Sequence, residues 1–118
     1  MKAGNLTPGT RLRIVLAPGI AIGPGKADLL QGILETGSIA AAGRAMGMSY
    51  KRAWRLAEAL NEHFKEPLIE TTRGGSGRGG AELTALGQEI LKRYRRMEQK
   101  TEKATASDSD ALRALLAK

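Results

Sequence analysis

The chain has 118 residues, 42% of them hydrophobic and 26% charged, which is typical of one globular domain and excludes wholesale disorder. It contains no cysteine and one histidine, which excludes disulfides, thiolate catalysis and zinc sites built from Cys and His. Its 19 Lys and Arg residues against 12 Asp and Glu give a net charge of +7, which favours a polyanionic partner such as nucleic acid, although net charge can also serve solubility alone. Because no apolar run is long enough to span a bilayer and no secretory signal pattern is present, we expect a cytoplasmic protein without membrane contact.

The first part of the chain predicts a flexible arm and a short strand. Residues 1–10 mix Gly, Pro, Asn and Thr without a period, which is typical of a loose N-terminal arm. Over 11–16 (RLRIVL) apolar and other residues alternate, which indicates a strand with one apolar face. In the Gly- and Pro-rich connector that follows, Ile20 and Ile22 either extend the strand or fill the core.

Two helices are predicted next. Apolar residues over 26–36 share one helical stripe, and Gly37 is placed to end that helix. Ser38 is a typical N-cap for a second helix over 39–46, which Gly47 ends. The alanines and the glycine within this second helix allow its backbone to approach a neighbouring helix closely.

A third helix and a hairpin follow. Ser49 caps a longer helix over 50–64, which ends before Pro67 because the residue preceding proline avoids the α region. The β-rich segment 68–72 and the segment 81–83 then read as two strands joined by a glycine-rich loop.

The last predicted element is a helix that begins after Thr84. From about Thr101 the sequence turns to Thr, Ala, Ser and Asp, so we expect a flexible tail over 104–118, with 111–118 as a separate short amphipathic helix. The apolar stripe of the last helix predicts a dimer contact, and the alternative is packing within the monomer. The predicted dimerisation residues are Ile90, Tyr94 and Met97.

The second and third helices, joined by the turn Gly47-Met48, have the layout of a DNA-binding helix-turn-helix. The third helix would enter the major groove by its N-terminus, where Arg and Lys can reach guanine and where free backbone N–H groups suit a phosphate. The alternative is an ordinary helical hairpin with a solvated basic face. The predicted base- and phosphate-contacting residues are Ser49, Tyr50, Lys51, Arg52 and Arg55.

The loop GGSGRGG contains the spacing G-x-G-x-x-G, but it lacks the strand–turn–helix context of a dinucleotide site and the GK[ST] of a P-loop. We therefore interpret it as the tip of a wing that touches the DNA backbone or the minor groove. The alternative is a loop without a partner. The predicted wing residues are Thr72, Arg73, Ser76 and Arg78.

No arrangement of residues indicates catalysis, a metal site or a cofactor. Trp54 lies on the apolar side of the third helix and is predicted to anchor the core. Glu58 and Glu62 are one helical turn apart beside Arg55, which is typical of surface charge rather than of a pair of catalytic carboxylates. We therefore expect that this protein is not an enzyme.

Two stretches carry a family resemblance. GSIAAAGRAMGMSYKRAWRLAEALN and LIETTRGGSGRGGAELTALGQEIL resemble the N-terminal DNA-binding domain of the ModE-type molybdate-responsive regulators, and more distantly that of LysR-type regulators. The pattern SYK-x-AW and the glycine-rich wing closed by A-x-LT-x-x-G are the distinctive pieces. The resemblance covers roughly residues 11–100.

The predicted order of one strand, three helices, a two-stranded wing and a last helix is that of a winged helix-turn-helix with a long C-terminal helix, a mainly α fold with a small β component. We divide the chain into the arm 1–10, a DNA-binding domain with a dimerisation helix over 11–103, and the tail 104–118. The resemblance implies the same fold. It further implies a transcriptional regulator that binds an inverted-repeat operator in double-stranded DNA as a homodimer. By position, 49–52 fall where the family reads DNA and 73–80 fall on its wing.

In full-length members of the family a C-terminal module senses molybdate. The sequence ends at Lys118 without room for that module, so we expect no molybdate binding by this chain. The alternative function is a winged-helix module that docks onto another protein and reads no DNA sequence. It would show an exposed apolar patch rather than positive charge on the third helix and the wing.

Overall fold

The computed structural model describes residues 6–73 and 79–117, which form two strands, three helices, two further strands and one long helix. Strand β1, Ile14–Ala17, pairs antiparallel with β2, Ile20–Ile22. The strand predicted over 11–16 therefore starts later than expected, and Ile20 and Ile22 belong to a second strand rather than to an extension of the first. A turn with Gly19 at φ 77° joins the two strands.

The three central helices are α1, Pro24–Thr36; α2, Ile39–Ala45; and α3, Tyr50–His63. Their ends agree with the signals in the sequence. Gly37, at φ 72°, ends α1 and donates its N–H to the carbonyl of Ile33 at 2.8 Å. Ser38 and Ser49 cap α2 and α3 as predicted, each accepting one backbone N–H in the first turn of its helix.

The wing consists of β3, Ile69–Arg73, and β4, Gly79–Leu83, which pair antiparallel. The predicted hairpin is therefore confirmed. Its register sets Ile69 opposite Leu83 at the base and Thr72 opposite Gly80 near the outer end. The carbonyl of Gly37 accepts the N–H of Ala81 at 2.8 Å, so the wing is attached to the junction between α1 and α2.

The last helix, α4, runs over Ala85–Ala114 and is 30 residues long, about 45 Å at 1.5 Å per residue. The flexible tail predicted from 104 onward is therefore wrong through Ala114, because one continuous helix extends to that residue and includes 111–114, which begin no separate helix. The physical reason is that no Gly or Pro interrupts this stretch, and Thr, Ser and Asp cost a helix only a fraction of what Gly or Pro does. The side chain of Thr105 also donates to the carbonyl of Thr101 at 2.7 Å within the helix.

The core lies where α1, α3, the base of the wing and the first half of α4 meet. Small residues let the helices approach closely: a Cβ at Gly43 would lie 2.7 Å from the Cβ of Ala53, and one at Gly32 would lie 2.7 Å from that of Ala42. The predicted close packing of α2 is thus confirmed. The largest fully buried side chains are those of Leu29, Leu30, Ile33, Leu60, Leu68 and Tyr94.

Tyr94 was predicted to lie in a dimer contact, but the structure places it in the core of its own chain. It is 1% exposed, and its hydroxyl donates to the carbonyl of Leu12. Desolvation by burial, with the nearby charge of Glu98, raises the pKa of Tyr94 to about 12. The reason for the difference is that the segment before β1 folds back across α4, a contact over 82 positions of sequence that helical periodicity does not reveal.

Candidate DNA interface

The first turn of α3 presents a basic surface. Lys51, Arg52 and Arg55 are exposed, and the side chain of Tyr50 is 65% exposed. Within residues 6–73 and 79–117 no carboxylate forms an ion pair with any of these three cations. The five residues predicted for DNA contact, with Ser49 at the N-cap, therefore share one accessible turn and the next.

The turn between α2 and α3 holds this surface in place. Gly47 adopts φ 70°, a left-handed conformation that favours glycine, and donates its N–H to the carbonyl of Arg44 at 3.0 Å. The N–H of Met48 donates to the carbonyl of Gly43 at 3.0 Å, and the Met48 side chain packs against the core. The reversal predicted from Gly47-Met48 therefore has the hydrogen bonds that fix the angle between the two helices.

Asn61 connects the far end of α3 to the base of the wing. Its Oδ1 accepts the N–H groups of Leu68 and Ile69 at 2.9 and 3.0 Å, and its Nδ2 donates to the carbonyl of Ile69 at 3.0 Å. Sequence reasoning missed this residue, because an asparagine beside Leu60 on an amphipathic helix has no local signal that separates it from a solvated polar residue. Asn61 thereby fixes the position of the wing relative to α3.

The wing strand β3 and the start of α3 line one cleft, to which Thr71 and Thr72 both contribute. Thr71 and Thr72 are both exposed. Arg73 closes β3 opposite Gly79, while Ser76 and Arg78 lie outside the described residues. Of the predicted wing residues, Thr72 is thus the one whose side chain the structure places, and it flanks a cleft of about 470 Å³ that also touches α2 and α3.

A second, larger cleft of about 800 Å³ lies between α1, α2 and α4, and its charged lining residues are mainly acidic. Arg95 on α4 donates to Asp28 on α1 at 3.0 Å and to Glu98 at 2.9 Å, an ion network that joins the two helices. The carboxylates that line this cleft are those of Asp28, Glu35, Glu98 and Glu102. These four carboxylates outnumber the two cations of the lining, Arg95 and Lys103, and this excess of negative charge makes the cleft unsuitable for a nucleic acid backbone.

The three residues of α4 that were predicted for a dimer contact differ in their burial. Ile90 is half-buried against the core, Met97 is 41% exposed, and Tyr94 is internal as described above. Beyond Met97, α4 carries mostly exposed side chains through Ala114. Ile90 and Tyr94 thus serve the core of the monomer, and Met97 begins a stretch of α4 whose side chains are mostly exposed.

No group of three or more His, Asp or Glu side chains in the described residues is arranged to hold a metal ion. Of the helices in the described part of the chain, none combines the length and the apolar character that a membrane span needs.

Comparison with known proteins assigns the helix-turn-helix to a family. The profile of bacterial regulatory helix-turn-helix proteins of the lysR family matches residues 27–88, which run from α1 through the wing to the start of α4. This chain belongs to the lysR family of bacterial regulatory helix-turn-helix proteins. The matched range contains every described residue that we assigned to the DNA interface.

The resemblance to ModE-type regulators is also confirmed. The chain is 38% identical over 91 residues to the DNA-binding transcriptional dual regulator ModE of Escherichia coli K12, and 36% identical over 94 residues to the molybdenum-pterin-binding protein MopB of Rhodobacter capsulatus. The matches take in 75% and 80% of this chain but only 35% of either relative. The chain therefore spans about a third of the length of these relatives.

Solved structures support the winged-helix fold. The CbnR_DBD–DNA complex superposes with a TM-score of 0.59 at 25% identity, covering 75% of this chain and 95% of that one. Full-length LysG of Corynebacterium glutamicum superposes with a TM-score of 0.58 at 23% identity, covering 77% of this chain and 29% of that one. The predicted fold class, mainly α with a small β component, is thereby confirmed.

Proposed function

We propose that this protein is a cytoplasmic transcriptional regulator that binds double-stranded DNA through α3 and the wing. The observation that carries the proposal is the first turn of α3, where Lys51 and Arg52 are exposed and unpaired by described carboxylates on a helix-turn-helix of the lysR family. The acidic cleft lies elsewhere, between α1, α2 and α4. A duplex that meets α3 and the wing thus meets positive charge and hydroxyl groups.

We propose further that two copies bind together, through the exposed part of α4 that begins near Met97. Thr10 hydrogen-bonds to Glu102, but beyond that residue most side chains of α4 are exposed through Ala114. Because a helical segment with little tertiary packing is marginal in water, this end of α4 would gain stability from a second helix. A two-fold dimer would place its two recognition helices about 34 Å apart, or a multiple of that distance, along one face of B-DNA. An operator with two related half-sites follows from this symmetry.

Selection from random duplexes tests both statements at once. We expect two related half-sites with a spacing near one helical turn. Recovery of one unpaired half-site would refute the dimer but keep DNA reading, whereas recovery of no sequence would refute DNA reading and favour the protein-docking alternative.

Variants of the basic residues test the assignment of α3. Lys51→Ala and Arg52→Ala should weaken specific binding, and at least one should relax sequence preference, by about 1–3 kcal/mol for each bidentate hydrogen-bonded pair with a base that the variant can no longer form. Lys65→Ala is the matched control, because Lys65 is exposed just beyond the C-terminal end of α3. Equal effects of all three variants would mean that net charge rather than the first turn of α3 determines binding.

We propose that the described residues form no selective site for molybdate. In the larger cleft four carboxylates outnumber the two cations, Arg95 and Lys103, and Arg95 is already paired with Asp28 and Glu98. No Lys or Arg lines the smaller cleft among the described residues, so neither cleft offers the excess of positive charge that a free oxyanion needs. Calorimetric titration of this chain with molybdate and with sulfate should show only weak, salt-screened binding of both. Micromolar binding of molybdate that excludes sulfate would contradict this proposal.

A further inference from the structure

The outer face of α4 carries positive charge that the proposed DNA interface does not use. Lys92, Arg96 and Lys100 follow one another at intervals of four residues, so their side chains share one face of the helix over about 12 Å. All three are exposed, and no described carboxylate forms an ion pair with any of them. Leu91 and Tyr94 are buried on the opposite face. These three cations, which we call the α4 strip, therefore point away from the core.

The spacing of the α4 strip works against the stability of the helix. Like charges four residues apart on a helix repel each other, whereas a carboxylate at one of the two positions would stabilise it. Neighbouring cations of α4 have such partners. Arg93 pairs with Glu89 at 2.9 Å, and Arg95 pairs with carboxylates of α1 and α4. Because solubility does not require like charges to be neighbours on one face, the arrangement favours an anionic partner that removes the repulsion.

The α4 strip lies away from the proposed DNA contacts. α4 begins at the base of the wing, where the N–H of Thr84 donates to the carbonyl of Leu68 at 2.9 Å, and Asn61, near the C-terminal end of α3, hydrogen-bonds to the same base. The strip begins about 12 Å further along α4. The proposed DNA contacts lie instead at the N-terminal end of α3 and toward the outer end of the wing strands. We therefore expect that a duplex held by α3 and the wing does not reach the strip.

A nucleic acid backbone has the charge density that fits the strip. B-DNA carries about one negative charge for each 1.7 Å of its axis, so three cations spread over about 12 Å can each meet a phosphate. Carboxylates on a protein surface are sparser and often have cations of their own, as Asp28 and Glu98 do in this chain. The chemistry therefore favours a duplex over an acidic protein.

We propose that the α4 strip binds the phosphate backbone of a second segment of double-stranded DNA, apart from the segment that α3 and the wing hold. The proposal goes beyond the proposed function and rests on it for the first segment. Contacts to phosphates alone carry no base information, so the second segment can have any sequence. A regulator with both surfaces joins two stretches of DNA.

A capture assay with two duplexes tests the proposal. The operator duplex recovered by selection is attached to beads, so that α3 of the bound protein is engaged, and unbound protein is washed away. A labelled duplex without the operator sequence is then added as the probe. The strip variant combines Arg96→Gln with Lys100→Gln. Its matched control combines Arg13→Gln with Lys65→Gln, which removes one Arg and one Lys that are exposed outside α4 and outside the proposed DNA contacts.

The strip variant should bind the operator as the wild type does and lose the probe. Because it lacks two phosphate contacts, it should bind the probe about 10- to 100-fold more weakly near 0.1 M salt, and its slope of log K against log salt should be smaller in magnitude by about two units. The control variant should capture nearly as much probe as the wild type. Thermal melts check that both variants keep the fold, which we expect because all four side chains are exposed.

Each other outcome contradicts the proposal in a recognisable way. If the wild type on the operator captures no probe, or if both variants capture it equally, the strip holds no second segment, and the proposed function stands. If the strip variant instead loses affinity and salt dependence on the operator alone, the strip contacts the same duplex as α3. If the wild type binds no duplex at all, the proposed function fails and the second contact fails with it.

Discussion

The junction between the wing and α4 provides a sharp test of the packing. A Cβ built at Gly87, in the first turn of α4, would lie 2.2 Å from the carbonyl oxygen of Leu68, where an ordinary carbon–oxygen contact is about 3.3 Å. This oxygen belongs to the backbone and already accepts the N–H of Thr84 at 2.9 Å. Gly87→Ala therefore forces the base of the wing away from α4.

The size of the effect follows from three contributions. Overpacking a closed contact costs about 1–3 kcal/mol, and breaking the Thr84–Leu68 hydrogen bond costs about 1 kcal/mol. Alanine returns at most about 1 kcal/mol through its higher helix propensity than glycine. We expect Gly87→Ala to lower the free energy of unfolding by about 2 kcal/mol, which corresponds to a fall of about 8 °C in Tm for a domain of 118 residues.

Gly25→Ala is the matched control. Gly25 also lies in the first turn of a helix, α1, but a Cβ there would meet no atom within 4 Å. This variant should be neutral or up to about 1 kcal/mol more stable than the wild type, because alanine restricts the unfolded chain. Urea unfolding of both variants decides the matter. Equal stability of Gly87→Ala and the wild type, or an equal decrease in both variants, would refute the predicted clash.

Substitutions at three further positions give separate predictions. Ser49→Ala should lower the free energy of unfolding by about 1 kcal/mol, measured by thermal melting, because it removes the N-cap of α3. Ser49→Asp should keep the stability, because aspartate also caps a helix, but it should weaken DNA binding in a titration, because its negative charge would repel the phosphates. Asn61→Ala should cost at least about 2 kcal/mol in urea unfolding, since it leaves two N–H groups of the wing base unpaired, and Asn61→Asp, which keeps the acceptor, should cost less. The pKa of Tyr94 is about 12 in the folded protein and has an ordinary value of 10.0, so its ionisation in the unfolded state should lower the free energy of unfolding as the pH rises from about 10 to about 12. Tyr94→Phe should lack this decline. An identical dependence of stability on alkaline pH in both proteins would contradict the burial of the hydroxyl.

Much of the local structure could be predicted because its determinants are close together in the sequence. Ser38, Ser49 and Thr84 cap helices through N–H groups only three residues away. Gly37 and Gly47 occupy the left-handed conformations that end two helices. The pattern of these signals was enough to predict a winged helix-turn-helix, and the exposure of Lys51 and Arg52 follows from their place in the first turn of α3.

Contacts between distant segments were decided only by the tertiary structure. Periodicity showed that Tyr94 lies on an apolar stripe, but whether that stripe meets a second copy or its own chain depended on how the segment around Leu12 crosses α4. The pairing of β1 with β2 and the hydrogen bonds of Asn61 to the wing depend in the same way on where separate elements come to lie. The burial of the Trp54 indole N–H, which has no acceptor among the described residues, has the same origin, because the elements packed around it and not its neighbours in sequence decide its surroundings.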